Sequence, residues 1–237
     1  MRSKALHRFL RGLYTRARFG DLRRTEPLSS WGSRRGQPVD RWYIERFLAE
    51  HSSHVHGHAL EVKSDTYATR YGAASVDVVD IDADNDQATV VGDLCERGTL
   101  PTAAYDVAVV TQTLQSVADP LAAVRHLIEA LRPGGCLLVT VPALSRLIDG
   151  SDRWRWTPAG LQELLRAAAP LGAEVRSVGL GNGLSARAFL FGLAAEDLDD
   201  RTLARTDHHY PVITAGYVRT LDAPDGKGEL DTVSHAV

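Results

Sequence analysis

Short apolar runs that alternate with helical patterns constrain this chain more than any other feature. Runs rich in β-branched and apolar residues recur at 58–63, 76–81, 88–91, 105–110 and 136–141. Each is too short for a stable helix and is bounded by turn-forming residues. Between the last two, Pro120 to Leu131 reads as a helix stopped by Pro133-Gly134-Gly135. Further on, Thr157 is placed to cap a helix that begins at Pro158, with Leu161, Leu164 and Leu165 on its buried face. Residues 173–178 and 212–218 read as two more strands, with a helix over 186–198 between them. Strands in alternation with helices predict an α/β fold built on a doubly wound, mostly parallel sheet of seven strands.

Composition narrows the functional classes. The 237 residues are 44% hydrophobic and 24% charged, with a net charge of −3, which is ordinary for a globular protein and carries no nucleic-acid footprint. Cys95 and Cys136 have no ligand spacing and suggest no disulfide framework, so a reducing cytoplasm is the expected compartment. No apolar run approaches the roughly 20 residues that a transmembrane helix needs. His51, His54, His56 and His58 alternate without a cysteine or acid partner and read as loop histidines, so no metal site is expected. Neither a Gly-x-Ser-x-Gly nucleophile motif nor a Walker lysine motif occurs.

The N-terminus departs from this average. Residues 1–24 hold Arg2, Lys4, Arg8, Arg11, Arg16, Arg18, Arg23 and Arg24 against the single acid Asp21. Leu6, Phe9, Leu10, Leu13 and Tyr14 fall between them at helical spacing, which predicts a basic amphipathic helix. Its apolar face is suited to packing on its own domain or on a partner, so that a homodimer or a partner enzyme is expected to engage residues 1–24. Attraction to an anionic surface (lipid or phosphorylated substrate) and a mitochondrial transit role are the alternatives. A Gly/Ser/Pro-rich connector from Pro27 to Pro38 follows, and Asp40 is placed to cap a helix reaching about Glu50. The expected division is a basic helical extension and lid over 1–56, an α/β domain over 57–221, and a polar, disordered tail over 222–237.

Several of these pieces together resemble a known family. An apolar run ending in Glu61, Val78-Val79-Asp80 at the second strand, Asp93-Leu94 after the third and Tyr105-Asp106-Val107 at the fourth occur in order. Thr111-Gln112-Thr113-Leu114-Gln115 and Leu131-Arg132-Pro133-Gly134-Gly135 complete the series. Residues 57–220 thereby resemble the class I S-adenosylmethionine (SAM) dependent methyltransferases, whose fold is Rossmann-like. The family's first strand runs into Glu-x-Gly-x-Gly-x-Gly; here Lys63, Asp65 and Tyr67 stand at the three glycine positions. A narrower resemblance rests on Trp31-Gly32, Arg35-Gly36, Pro38-x-Asp40-Arg41, Asp65-Thr66-Tyr67 and Trp154-Arg155-Trp156-Thr157. It points to a bacterial, methyltransferase type 11-like group associated with glycosyltransferases and specialised metabolism, whose members also tend to lack the glycine-rich loop.

The resemblance implies SAM as cofactor and a small-molecule acceptor methylated on oxygen or nitrogen. It places the cofactor against Glu61, Lys63, Asp65, Asp80, Asp93, Leu94, Thr111 and Gln112, with Asp80 on the ribose hydroxyls (Asp77 its rival if the strand ends earlier) and Asp93 on the adenine amine. It assigns the acceptor side to Arg41, Tyr43, Trp154, Arg155 and Trp156. Lys63 is open to three readings: a solvated strand-end lysine, a partner for an anionic group, or an obstruction to a sulfonium by like charge. His208 and His209, beside Asp207, are the candidate general bases for an alcohol or phenol acceptor. The replaced glycines leave two other functions in view: a non-methylating reaction on this fold, such as cyclisation or isomerisation, and a non-catalytic partner of a biosynthetic enzyme.

Overall fold

A computed structural model describes Leu6 and residues 9–15, 25–148 and 150–222 of the chain. Most of the basic segment 1–24 and the tail beyond Asp222 lie outside the described residues.

Seven strands form one sheet: β1 (His58–Val62), β2 (Ser75–Asp80), β3 (Val90–Val91), β4 (Tyr105–Thr111), β5 (Leu131–Pro142), β6 (Glu174–Leu180) and β7 (Ile213–Arg219). Their order is β3-β2-β1-β4-β5-β7-β6, with β7 antiparallel to both its neighbours and the other pairs parallel. The chain builds outward from β1 to β3 and then returns to lay β4 against the other side of β1. That reversal opens a crevice beyond the carboxyl ends of β1 and β4, where ligands bind in sheets of this kind.

From Val39 onward the described residues form six α-helices, α1 (Val39–Glu50), α2 (Thr66–Tyr71), α3 (Pro120–Glu129), α4 (Pro158–Ala168), α5 (Gly183–Leu190) and α6 (Asp200–Ala204). The period-two alternation of the strands divides the core into two layers. Ala59, Val107, Val109 and Leu138 pack with Tyr43, Phe47 and Leu48 of α1, Tyr67 and Ala68 of α2, and Phe189 of α5. Their sequence neighbours Leu60, Ala108, Val110, Leu137 and Val139 face the opposite way, onto Val124 and Leu127 of α3 and Leu161 and Leu165 of α4. Each fully buried valine, leucine or phenylalanine among them stabilises the fold by about 1.5–3 kcal/mol before entropy is counted.

The structure corrects several boundaries. The third strand is only Val90–Val91, and the helix expected over 186–198 is α5, ending at Leu190. Pro133-Gly134-Gly135 does not follow a helix directly: α3 ends at Glu129, and these residues form an irregularity inside β5. There the register jumps from Tyr105↔Leu131 to Val107↔Cys136. Asp40 caps nothing, because Pro38 holds the N-cap position of α1 and Asp40 lies in the first turn. Thr157 does cap α4, its hydroxyl oxygen accepting from the Gly160 N–H.

Candidate active site

Beyond β1 and β4 the chain leaves the sheet at two residues with left-handed backbones, Lys63 at φ 71° and Gln112 at φ 48°. Lys63 thus keeps the backbone geometry that glycine favours while carrying a side chain. The Asn85 amide holds this turn, donating to the Lys63 carbonyl and to Asp80 Oδ2, both at 2.8 Å. Non-glycine residues pay about 1 kcal/mol or more for such a backbone, and β-branched ones most. Lys63→Val is therefore expected to lower the free energy of unfolding by about 2 kcal/mol. Lys63→Gly should change it by less than about 1 kcal/mol, since relief of strain is offset by unfolded-state entropy. Guanidinium denaturation of both variants checks the pair.

These turns open onto a cavity of about 920 Å³. Its floor is made by strand ends: Val62, Lys63, Asp80, Asp93, Leu94, Thr111 and Gln112. Its roof comes from the connector before α1, the first turn of α1 and the loop after β5, including Trp31, Asp40, Arg41, Asp152, Arg153 and Arg155. The two roof segments are stapled together. Arg146 lies over the Trp31 ring at 4.5 Å and donates to the Ser30 hydroxyl at 2.7 Å. The loop after β5 is pinned in turn to β4's exit, where the Gln115 carbonyl accepts from the N–H groups of Arg153 and Trp154 at 2.7 and 3.1 Å.

The four carboxylates of the cavity are held differently. Asp80 Oδ1 accepts from the Asp82 N–H at 3.2 Å, and Oδ2 from Asn85. Asp93 Oδ1 accepts from the Cys95 N–H at 2.8 Å. Asp152 is clasped by Arg155, with one contact at 2.7 Å, and that guanidinium holds its carboxyl below the usual carboxylate range. Asp40 accepts from the N–H of Arg41, at 2.9 Å, and burial raises its carboxyl above the usual range against the pull of Arg41.

Two cavity-lining amides carry unanswered polar atoms. Gln115, 3% exposed, donates through Nε2 to the Gln112 carbonyl at 2.7 Å, which leaves its Oε1 buried without a partner. Gln112 Nε2 is likewise buried and unpartnered. A buried donor and a buried acceptor in one wall are what a polar ligand would satisfy.

Of the residues singled out by sequence, Lys63, Asp80, Asp93, Leu94, Thr111, Gln112, Arg41 and Arg155 are brought to this one cavity. Others are placed elsewhere. Glu61 sits beneath the turn, its carboxylate accepting from the N–H groups of Tyr67 and Ala68 at the start of α2. Asp65 is exposed and meets only the Thr69 hydroxyl, at 3.4 Å. Tyr43 is buried in the core, its hydroxyl donating to the Leu203 carbonyl. Trp154 donates to the Val117 carbonyl at the loop's outer side, and Trp156 packs into the second core layer. His208 and His209 are exposed in the turn before β7, beside the end of β6. That is the ligand-bearing edge of the sheet, but at its far end, and neither lines the cavity. Asp77, the rival of Asp80, is tied to the Tyr105 and Thr89 hydroxyls.

Sequence reasoning named Gln115 only as the end of the motif after β4, without a role of its own, and missed Asn85 and the cavity-facing role of Asp40. Asn85 has no motif, Gln115 carries no chemistry until its burial is known, and Asp40 looks like a helix cap.

Residues 56–169 match the family model of a methyltransferase domain. These residues are therefore similar to a methyltransferase domain. Solved structures agree on the fold. A SAM-dependent methyltransferase from Mesorhizobium loti is similar at a TM-score of 0.51 and 16% identity, over 76% of this chain and 97% of that one. Another from Archaeoglobus fulgidus reaches 0.50 at 12% identity, over 76% and 94%. The cyclase SpnF reaches 0.50 at 20% identity, over 84% and 85%. At such identities the likeness establishes the fold alone. No curated protein sequence matches the chain. The family match implies SAM as the cofactor, and the cavity lies over the crevice where a sheet of this kind binds its ligand.

Proposed function

We propose that the chain is a SAM-dependent methyltransferase acting on an oxygen or nitrogen of a small molecule, such as a sugar or specialised metabolite. The observation that carries this reading is the cavity at the sheet's edge, with Asp80 and Asp93 at strand ends on its floor and Arg41, Asp40 and Arg155 on its roof. The residues present fit the cofactor: two oriented carboxylates for hydroxyl and amine donors, Leu94 as an apolar wall, and two buried amides with unanswered atoms.

In this reading Asp80 would hold the ribose hydroxyls and Asp93 the adenine amine. Lys63, exposed and without an ion pair among the described residues, would meet the carboxylate of the cofactor's amino-acid end. Bound SAM supplies a methyl group already activated on a sulfonium, so positioning supplies much of the catalysis. Arg41 and Arg153 give the acceptor side positive charge. No histidine lines the cavity among the described residues. Asp40 is the carboxylate best suited to take a proton from an acceptor hydroxyl, because its pKa is raised by burial and it has no arginine clasp.

Calorimetric titration of the purified chain with SAM and with its demethylated product tests the reading. Micromolar binding of both is expected. Absence of binding in folded protein would overturn it. A non-methylating reaction, of which the cyclase SpnF shows this fold to be capable, or a non-catalytic partner role would then replace it.

A further inference from the structure

The chain has a second feature that methyl transfer does not use. Residues 9–15 are helical, with the Thr15 hydroxyl donating to the Arg11 carbonyl at 2.7 Å, and Leu6 is helical as well. Leu6, Phe9, Leu10, Leu13 and Tyr14 are between 49% and 63% exposed, so this chain's own domain does not cover them. At the helical period the five fall within an arc of about 140°, while the sequence places Lys4, Arg8 and Arg11 on the opposite side.

Charge decides what such a face meets. Residues 1–24 carry eight basic residues against Asp21, a net of +7; with −3 for the whole chain, the remaining residues carry −10. Two copies of the segment packed apolar face to apolar face would bury those faces but set two segments of net +7 about a helix diameter apart and leave both outward basic faces unanswered. An anionic bilayer answers both faces at once, because acyl chains take the apolar arc and headgroups take the basic one. Among the described residues no helix is long and apolar enough to cross a membrane, so the segment would lie in the interface rather than span it.

We propose that the helix of residues 9–15, with Leu6 on the same face, is an interfacial anchor that holds this protein on anionic lipid surfaces, through the apolar face of Leu6, Phe9, Leu10, Leu13 and Tyr14 and the basic charge that the surrounding sequence carries. The acidic remainder of the chain is repelled by the same surface, which leaves the segment as a tether with the cavity held in water.

The test is co-sedimentation of the full chain with vesicles of phosphatidylcholine alone and of an equal mixture with phosphatidylglycerol. Binding to the mixed vesicles only, weakened by added salt, is expected. Arg8→Glu with Arg11→Glu should weaken it by roughly fivefold or more per position. Phe9→Asp with Leu13→Asp should abolish it while leaving the far-ultraviolet circular dichroism of the domain intact, since neither residue belongs to the core. The proposal is overturned if the wild-type chain stays in the supernatant with both vesicle types, or if the Asp double variant still sediments. It is also overturned if light scattering shows a stable dimer that the Asp double variant dissociates, for the apolar face would then belong to a second copy.

Discussion

Glu61→Ala is expected to lower the free energy of unfolding by about 3 kcal/mol, the largest loss from any single site around the cavity. The side chain is 2% exposed and receives N–H groups from Tyr67 at 3.1 and 3.0 Å and from Ala68 at 2.7 Å. Truncation would leave two N–H groups at the start of α2 without an acceptor and an unfilled space below the turn. The same residue gives stability a pH dependence. Burial pushes its pKa up from 4.5 to about 7, against the downward pull of the backbone donors. A carboxyl raised in the folded state binds its proton more tightly there than in the unfolded chain. Its contribution is therefore complete below the unfolded value and declines as pH rises through about 7, by an amount on the order of 3 kcal/mol. Protonation need not break the turn, because an acid protonated on Oε1 still offers Oε2 to both N–H groups. Glu61→Gln should remove this slope. Denaturant unfolding at about pH 5 and about pH 8 checks it; an equal slope in wild type and the Gln variant would refute the assignment, as would a loss below about 1 kcal/mol in the Ala variant.

Glu61 also shows what sequence could and could not convey. That an acid ends the first strand is legible, because the strand's apolar run is local. That this acid points under the turn to α2, and not into the cavity, depends on Tyr67 and Ala68 arriving above it. The strand ends at Asp80 and Thr111 were legible for the same local reason, and the sheet's edge then collects them. Residues outside the strands fared otherwise. Tyr43 and Trp156 have the composition of a binding site, yet burial is decided by the helix face and loop that carry them. His208 and His209 reach the ligand-bearing edge of the sheet, but β7 pairs between β5 and β6 and so sets them at its far end. Sheet order is a long-range property that no local pattern encodes. The Pro-Gly-Gly element was read as a helix stop because its chemistry is that of a turn; pairing with β4 on both sides makes it an irregularity within β5. The replaced glycines are the clearest instance. Tyr67 lies in the first turn of α2 and packs into the core beside α1, so that position requires no glycine. Lys63 does hold the glycine-like backbone, and Asn85 helps it do so.

Asp80→Ala is expected to weaken binding of the demethylated cofactor product about 100-fold, nearly 3 kcal/mol, with the fold retained. Asp80 is 6% exposed at the end of β2, and both its oxygens are already oriented, one by the Asp82 N–H and one by Asn85. A carboxylate fixed in this way loses little entropy when it accepts from a ligand hydroxyl, and the cavity shields the bond from water. Its removal leaves ligand hydroxyls without an acceptor at a position where the protein itself is largely buried. Asn85→Ala separates orientation from contact. Asn85 does not line the cavity, so its loss should act through Asp80 and the Lys63 turn and weaken binding about tenfold. Asp93→Ala should lose binding independently of either, since Asp93 is held by the Cys95 N–H on the neighbouring loop. Calorimetry on the three folded variants distinguishes the cases. If Asp80→Ala and Asp93→Ala both bind as wild type does, the strand-end carboxylates are structural and the cavity is not where the cofactor sits. If only Asn85→Ala is silent, the Asp82 N–H suffices to orient Asp80, and the clamp serves the backbone of Lys63 alone.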